Sequence, residues 1–68
     1  MTLQEIKDAV ESGKTVFWAS RSYKVVRDEL HDGTVQWLIV CTVNNSAIGL
    51  TWQDGVTMNG EPEQFFVE

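Results

Sequence analysis

The chain contains few of the residue types that form covalent cross-links or catalytic centres. Its 68 residues include one cysteine, one histidine and one proline, and no apolar run approaches the roughly 20 residues needed to span a bilayer. A lone cysteine cannot close an intrachain disulfide, whereas a small secreted domain usually carries several. The first ten residues also lack the basic and apolar segments of a signal peptide. We therefore expect a protein of the reducing cytoplasm that has no membrane partner.

Basic side chains are scarce as well. Five lysines and arginines stand against ten acidic residues, which gives a net charge of −5. An acidic chain repels phosphate backbones and anionic lipid surfaces at long range. Nucleic acid is therefore disfavoured as a partner relative to protein.

Candidate catalytic and metal-binding groups do not form a recognisable set. The single thiol, Cys41, lies in an apolar row, where burial would make it unreactive. The single imidazole, His31, lies in an acidic loop, and one His with one Cys cannot complete a structural zinc site. The loop also lacks the spacing of a calcium-binding loop. We therefore predict a protein that is not an enzyme, with no catalytic residues, metal ligands or cofactor.

Aromatic residues are well represented for so short a chain. Three Trp, three Phe and one Tyr contribute to a hydrophobic fraction of 43%, which predicts a folded domain. The length allows one domain, residues 1–68, and such a domain buries only about 60% of the surface that its unfolded chain exposes. Pairing of two copies through a sheet face or edge is one way to enlarge the core.

The segment Thr34 to Val43 predicts the strand around which the fold is organised. Its residues are mostly β-branched or aromatic. The odd-numbered positions form an unbroken apolar row, whereas the even-numbered positions are apolar only at Leu38 and Val40. Because strand side chains alternate between two faces, we expect burial along one face and near the middle of the other. That pattern is typical of a central strand.

A helix is predicted from Leu3 to Ser12. Thr2 and Glu5 have the spacing of a capping box, in which each side chain accepts a hydrogen bond from the other residue's backbone N–H. Apolar residues then recur at helical spacing, and Gly13 supplies a C-terminal stop. Ten residues are too few for a stable isolated helix, so its apolar stripe must pack on the sheet.

The other predicted elements are strands and turns. Further strands are predicted at Thr15–Ala19, Tyr23–Arg27, Ala47–Trp52 and Val56–Met58, with turns at Ser20–Ser22, Asp32–Gly33 and Asn44–Ser46. Asp32–Gly33 suits a type I′ turn, and the polar residues before it leave a wider loop open. Pro62 favours a helical turn, after which three apolar residues would hold the tail on the core.

Together these elements predict an α+β domain. An N-terminal helix packs on a four- or five-stranded antiparallel meander, because sequential strands usually pair as neighbours. The strand pattern is compatible with an open sheet or with one curled toward a small barrel.

The aromatic and basic residues on the predicted strands are the best candidates for a binding surface. Small domains need most of their aromatics inside, yet aromatics exposed on a sheet can also contact a protein or stack on unpaired bases. The one locally basic stretch lies between positions 21 and 27. The predicted interaction surface comprises Trp18, Arg21, Tyr23, Lys24, Arg27 and Trp52.

The overall pattern resembles small proteins of unknown function encoded by bacteriophages and prophages. The resemblance rests on the segment Ile48 to Gly55, the Asn59–Gly60 turn, the closing Phe65–Val67, and an opening helix followed by Gly13–Lys14 and an aromatic strand. It implies a bacterial host cytoplasm and an accessory role against a host component. It implies no catalytic or binding residues.

These observations favour a protein-interaction module that recognises a macromolecular partner by surface complementarity. The alternative is a small β domain that binds single-stranded nucleic acid through exposed aromatics and Arg21, Lys24 and Arg27. Homodimerisation is compatible with either function.

Overall fold

The computed structural model describes all 68 residues and contains one helix and one five-stranded antiparallel sheet. The elements are α1 (Leu3–Glu11), β1 (Val16–Trp18), β2 (Ser20–Glu29), β3 (Val35–Cys41), β4 (Ala47–Gly49) and β5 (Phe65–Val67), with a 3-10 turn at Pro62–Gln64. The strand order is β4-β3-β2-β1-β5, and the two edge strands do not pair with each other. The predicted α+β class is confirmed, and the sheet is open, not closed into a barrel.

Helix α1 begins with the predicted capping box. The Glu5 backbone N–H donates to Thr2 Oγ1 at 3.2 Å, and the Thr2 N–H donates to Glu5 Oε1 at 2.8 Å. The helix ends at Glu11, one residue before the predicted end, and Gly13 then takes a φ of 91°. This left-handed backbone turns the chain away from the helix and toward β1.

None of the helical segments has the length and apolar character that a membrane-spanning helix needs.

Strands β2 and β3 form the long hairpin at the centre of the sheet, paired from Tyr23 opposite Cys41 to Glu29 opposite Val35. The predicted type I′ turn is wrong, since that turn needs positive φ at both central residues. Only Gly33 has it, at 87°. The strands are instead joined by the wider loop of residues 30–34, in which the Gly33 N–H donates to the Leu30 carbonyl at 3.0 Å.

The turn between β1 and β2 is tighter than predicted. Trp18 lies opposite Ser20, and Ala19 alone reverses the chain with a φ of 62°. Strand β2 therefore begins at Ser20, and the predicted turn at Ser20–Ser22 is wrong. A register shift between Phe17 and Trp18 accompanies the turn, which places Phe17 opposite Lys24.

The segment after β4 departs most from the prediction. Strand β4 ends at Gly49, and the predicted strand Val56–Met58 is reduced to a single bridge between Thr51 and Met58. The cause is the Asp54 carboxylate, which accepts the backbone N–H groups of Val56 and Thr57 at 2.9 Å each. A side chain that takes backbone donors in this way favours a turn over a sheet ladder.

The C-terminal strand completes the sheet at the edge opposite β4. Strand β5 pairs with β1, with Phe17 opposite Phe66 and Trp18 opposite Phe65. The first four strands are sequential neighbours, as in a meander, and β5 then returns to lie beside the first. Phe65 is 3% exposed and belongs to the core, so the tail packs on the core as predicted.

Helix α1 covers one face of the sheet. The hydrophobic core combines its inward residues with one face of the strands and comprises Ile6, Ala9, Val16, Val25, Ile39, Leu50 and Phe65. Trp18, Trp37 and Met58 pack against this cluster and are partly buried. Leu50 lies beyond β4 and is fully buried, because the chain turns inward there after the strand ends.

Candidate interaction surface

The face of the sheet away from α1 carries an apolar cluster that is separate from the core cluster beneath the helix. Directly paired residues share a face, so the pairs Phe17–Phe66, Lys24–Val40 and Val26–Leu38 lie on the same side. We call the apolar members of this cluster the outer patch, and they are Phe17, Val26, Leu38, Val40 and Phe66. None of them packs against the core cluster beneath the helix.

The outer patch is only partly shielded from solvent. The Phe17 and Phe66 rings pack with centroids 5.6 Å apart, which leaves Phe17 9% exposed and Phe66 37% exposed. Val26, Leu38 and Val40 are half-buried. The solvated face of an antiparallel sheet is normally polar, with hydrophobic residues alternating inward. Contiguous exposed apolar residues mark interaction sites in soluble proteins.

A second surface, the basic cleft, lies between the end of α1 and the middle of β2. It has a volume of about 630 Å³ and is lined by Val10, Glu11, Gly13–Thr15 and Lys24–Arg27. Three of the five basic residues of the chain line it: Lys14, Lys24 and Arg27. Arg27 Nη1 forms an ion pair with Glu29 Oε2 at 3.6 Å, whereas Lys14 and Lys24 form no ion pair. The cleft therefore concentrates positive charge on an otherwise acidic protein.

A third surface, the tryptophan groove, lies beside β3 and the segment that follows β4. It has a volume of about 550 Å³, and Lys7, Trp37 and Trp52 are among the residues that line it. The Lys7 ammonium lies 5.7 Å from the Trp37 ring centroid, a cation–π distance. Trp52 is 63% exposed and is the most exposed aromatic residue of the chain.

The structure distributes the six predicted interaction residues over several places. Trp18 and Tyr23 lie on the helix-covered face, with their rings in edge contact at 5.2 Å. Trp18 is half-buried, and its indole N–H donates to Gln64 Oε1 at 3.1 Å. Tyr23 is 36% exposed. These two aromatic residues therefore contribute to packing at this end of the sheet as well as to its surface.

The three predicted basic residues do not share one surface. Arg21 forms an ion pair with Glu68 at 2.8 Å, away from the cleft. Lys24 and Arg27 both line the basic cleft, although their positions on β2 place them on opposite faces of the sheet. Trp52 lies across the hairpin from them. The sequence did not single out Lys14 or the outer patch as binding candidates. The members of the outer patch meet only through the register of β1, β2, β3 and β5.

Three carboxyl groups have shifted pKa values, and each is held by a local turn or cap. The Thr57 hydroxyl, followed by the Val56 and Thr57 backbone N–H groups, lowers the pKa of Asp54. The Thr34 hydroxyl does the same for Asp32. The Thr2 backbone N–H lowers the pKa of Glu5. None of these groups lines the basic cleft or the tryptophan groove. The shifts therefore reflect local hydrogen bonding in the fold.

Comparison with known proteins finds no family model, no curated protein and no solved structure that matches this chain. A functional conclusion for this chain therefore rests on its sequence and its side-chain geometry. No three His, Cys, Asp or Glu side chains converge on a point that would hold a metal ion.

Proposed function

We propose that the protein is a non-enzymatic protein-interaction module that binds a protein partner through the outer patch. The observation that carries the proposal is that α1 covers one sheet face, while the other face keeps five apolar residues outside the core cluster beneath α1. Aromatic residues are enriched at the centres of protein interfaces, and Phe66 is 37% exposed on this face. In keeping with the phage and prophage resemblance, the proposed partner is a component of the bacterial host.

The sheet face that carries the outer patch is large enough for such a role. A standard interface buries about 800 Å² on each partner, whereas the whole chain exposes 4578 Å². One face of a sheet of this size can supply such an area. Binding energy in interfaces is usually concentrated in a few buried anchors, and Leu38 and Phe66 occupy the two sides of the patch.

The test uses a charge placed inside the patch and a matched charge placed outside it. Leu38→Lys puts an ammonium inside the patch, on its β3 side. Gln36→Lys puts the same group on the same face of β3, at an exposed position near the end of the strand. Both tagged variants and the wild type are used to capture partners from bacterial lysate, after circular dichroism has shown that all three are folded.

We expect the wild type and Gln36→Lys to retain the same partner and Leu38→Lys to lose it. Sedimentation over a concentration series shows whether that partner is a second copy of the chain. Recovery of the bait alone by the wild type, at high concentration and low salt, contradicts the proposal. Equal capture by Leu38→Lys contradicts the assignment to the outer patch.

A second candidate function is binding of single-stranded nucleic acid. The tryptophan groove favours it, because an exposed Trp52 beside Trp37 and Lys7 combines a stacking surface with a positive charge. Arg21, Lys24 and Arg27 would then contact phosphates. Titration of labelled single-stranded DNA and RNA separates the two functions, since binding that weakens steeply with salt and is lost in Trp52→Ala supports nucleic acid.

A further inference from the structure

Part of the β2 backbone has no neighbouring strand on the side away from β3. The Thr42 N–H donates to the Ser22 carbonyl at 2.7 Å, and the Leu30 N–H donates to the Thr34 carbonyl at 2.8 Å. Hydrogen-bonded pairs alternate along an antiparallel ladder. Between these two points, the even-numbered residues of β2 therefore bond to β3, and the odd-numbered residues direct their N–H and C=O groups toward β1.

Strand β1 is too short to meet all of those groups. Phe17 lies opposite Lys24, so Val16, where β1 begins, lies beside Val25. Before Val16 the chain turns into α1, and the Lys14 N–H donates to the Ala9 carbonyl at 2.9 Å. The backbone groups of Arg27 and Glu29 form no hydrogen bond to these residues. This end of β2 is an open sheet edge.

The open edge borders the basic cleft. Arg27 belongs to the open edge and also lines the cleft, and Lys14 and Lys24 line the cleft without ion pairs. Glu11 is the one acidic residue that lines the cleft. Charged side chains on an edge discourage pairing with another exposed edge, and both Arg27 and Glu29 are charged. Because Arg27 is paired with Glu29, the unpaired ammonium groups of Lys14 and Lys24 supply the attraction for an acidic strand.

We propose that the open edge of β2 binds an extended acidic segment of a protein partner, which adds to the sheet as a further strand. Its backbone pairs with the N–H and C=O groups of Arg27 and Glu29, and its carboxylates face Lys14 and Lys24. Strand addition of this kind takes affinity from main-chain hydrogen bonds and specificity from alternate side chains. The proposal rests on the proposed function only in that the partner is a protein, and it uses different residues.

The test uses labelled eight-residue peptides in which Glu or Lys alternates with Val. Binding is followed by fluorescence anisotropy at low salt, with wild type, the double variant Lys14→Glu/Lys24→Glu, and Arg21→Glu as a single charge reversal outside the cleft. A third peptide carries N-methyl groups on alternate amides, which block backbone pairing but keep every carboxylate. A single-stranded oligonucleotide of similar length and charge is titrated in parallel.

We expect the Glu peptide to bind the wild type, and the double variant to weaken that binding by about tenfold, since attraction becomes repulsion at two positions. Arg21→Glu should have little effect. N-methylation should abolish binding, and NMR amide shifts should change at Arg27 and Glu29. These results together support strand addition.

Equal binding of the Lys and Glu peptides overturns the charge argument, and unchanged binding of the N-methylated peptide overturns strand addition. Tighter binding of the oligonucleotide than of the Glu peptide, lost in the double variant, replaces the acidic segment with a phosphate backbone. If no peptide binds while the Leu38-dependent partner is still captured, the edge proposal is wrong and the proposed function stands.

Discussion

The contact between α1 and the sheet offers the most direct test of the fold. Ile6 is the helix residue at the centre of the core, with 0% of its side chain exposed. The change Ile6→Ala removes three carbon atoms from a site bounded by the sheet. Substitutions of this kind cost about 2–5 kcal/mol, because transfer energy is lost and a cavity remains.

That cost is large relative to the stability expected for the whole domain. At roughly 0.05–0.15 kcal/mol per residue, a chain of this length has a free energy of unfolding of about 3–10 kcal/mol. Ile6→Ala should therefore remove about a fifth or more of it. With a urea m-value of about 1 kcal/mol/M for so small a domain, the midpoint should fall by about 2 M or more.

The assay is urea unfolding followed by tryptophan fluorescence and far-ultraviolet circular dichroism. Gln4→Ala is the matched control, because Gln4 is exposed on the same helix and its side chain only donates to Asp8 Oδ1 at 2.8 Å. Ile6→Val, expected to cost about 0.5–1.5 kcal/mol, gives a measurable curve if Ile6→Ala does not fold. A loss under about 1 kcal/mol for Ile6→Ala would refute the conclusion that α1 seals the core.

Three further changes test other parts of the structure. Gly60→Ala places a Cβ 2.5 Å from the Trp18 indole nitrogen, so we expect the free energy of unfolding to fall by about 1–3 kcal/mol and the tryptophan fluorescence to change. An unchanged free energy and an unchanged fluorescence spectrum would show that Trp18 does not pack there. Thr2→Ala removes a cap worth about 1 kcal/mol. It also removes the Thr2 hydroxyl but keeps the backbone N–H that contributes most to the lowered pKa of Glu5. The pKa of Glu5 should therefore rise only part of the way toward its ordinary value of 4.5 in an NMR titration, whereas Thr2→Ser should retain the cap and the lowered pKa. The folded-state pKa of Asp54 is below its ordinary value of 3.8, so its stabilising contribution is complete above that pH and is lost as the pH falls through the lower folded-state value. Asp54→Asn should flatten the acid side of the stability curve, and an unchanged pH dependence would contradict this assignment.

The sequence predicted the elements whose causes are local. The capping box at Thr2 and Glu5 defines the start of α1, and Gly13 defines its end, because backbone donors and left-handed φ can be assigned within a few residues. The apolar segment Thr34 to Val43 predicted β3, which runs from Val35 to Cys41. The apolar pattern continues to Val43, although Val43 is 80% exposed, because the chain turns away from the sheet after Cys41.

The remaining features depend on contacts between distant segments. In the predicted strand Ala47–Trp52, alternating side chains would place Ile48, Leu50 and Trp52 on one face. The strand β4 ends instead at Gly49. Leu50 turns into the core and Trp52 is exposed. The basic cleft likewise forms because the turn at Ala19 and the β1–β2 register bring Lys14 beside β2. Neither the burial of Leu50 nor the placement of Lys14 beside β2 can be predicted from any short segment of the sequence.

The attachment of β5 to β1 has a consequence for the order in which the sheet forms and opens. It joins residues 65–67 to residues 16–18, whereas the β2–β3 hairpin is closed by residues 30–34 alone. Closing the longer loop costs more chain entropy, so the hairpin should form early and β5 should dock late. In the native state β5 should detach by local unfolding more often than the whole domain unfolds. Each detachment converts β1 from an interior strand into a temporary edge, and hydrogen exchange in β1 and β5 would report its frequency.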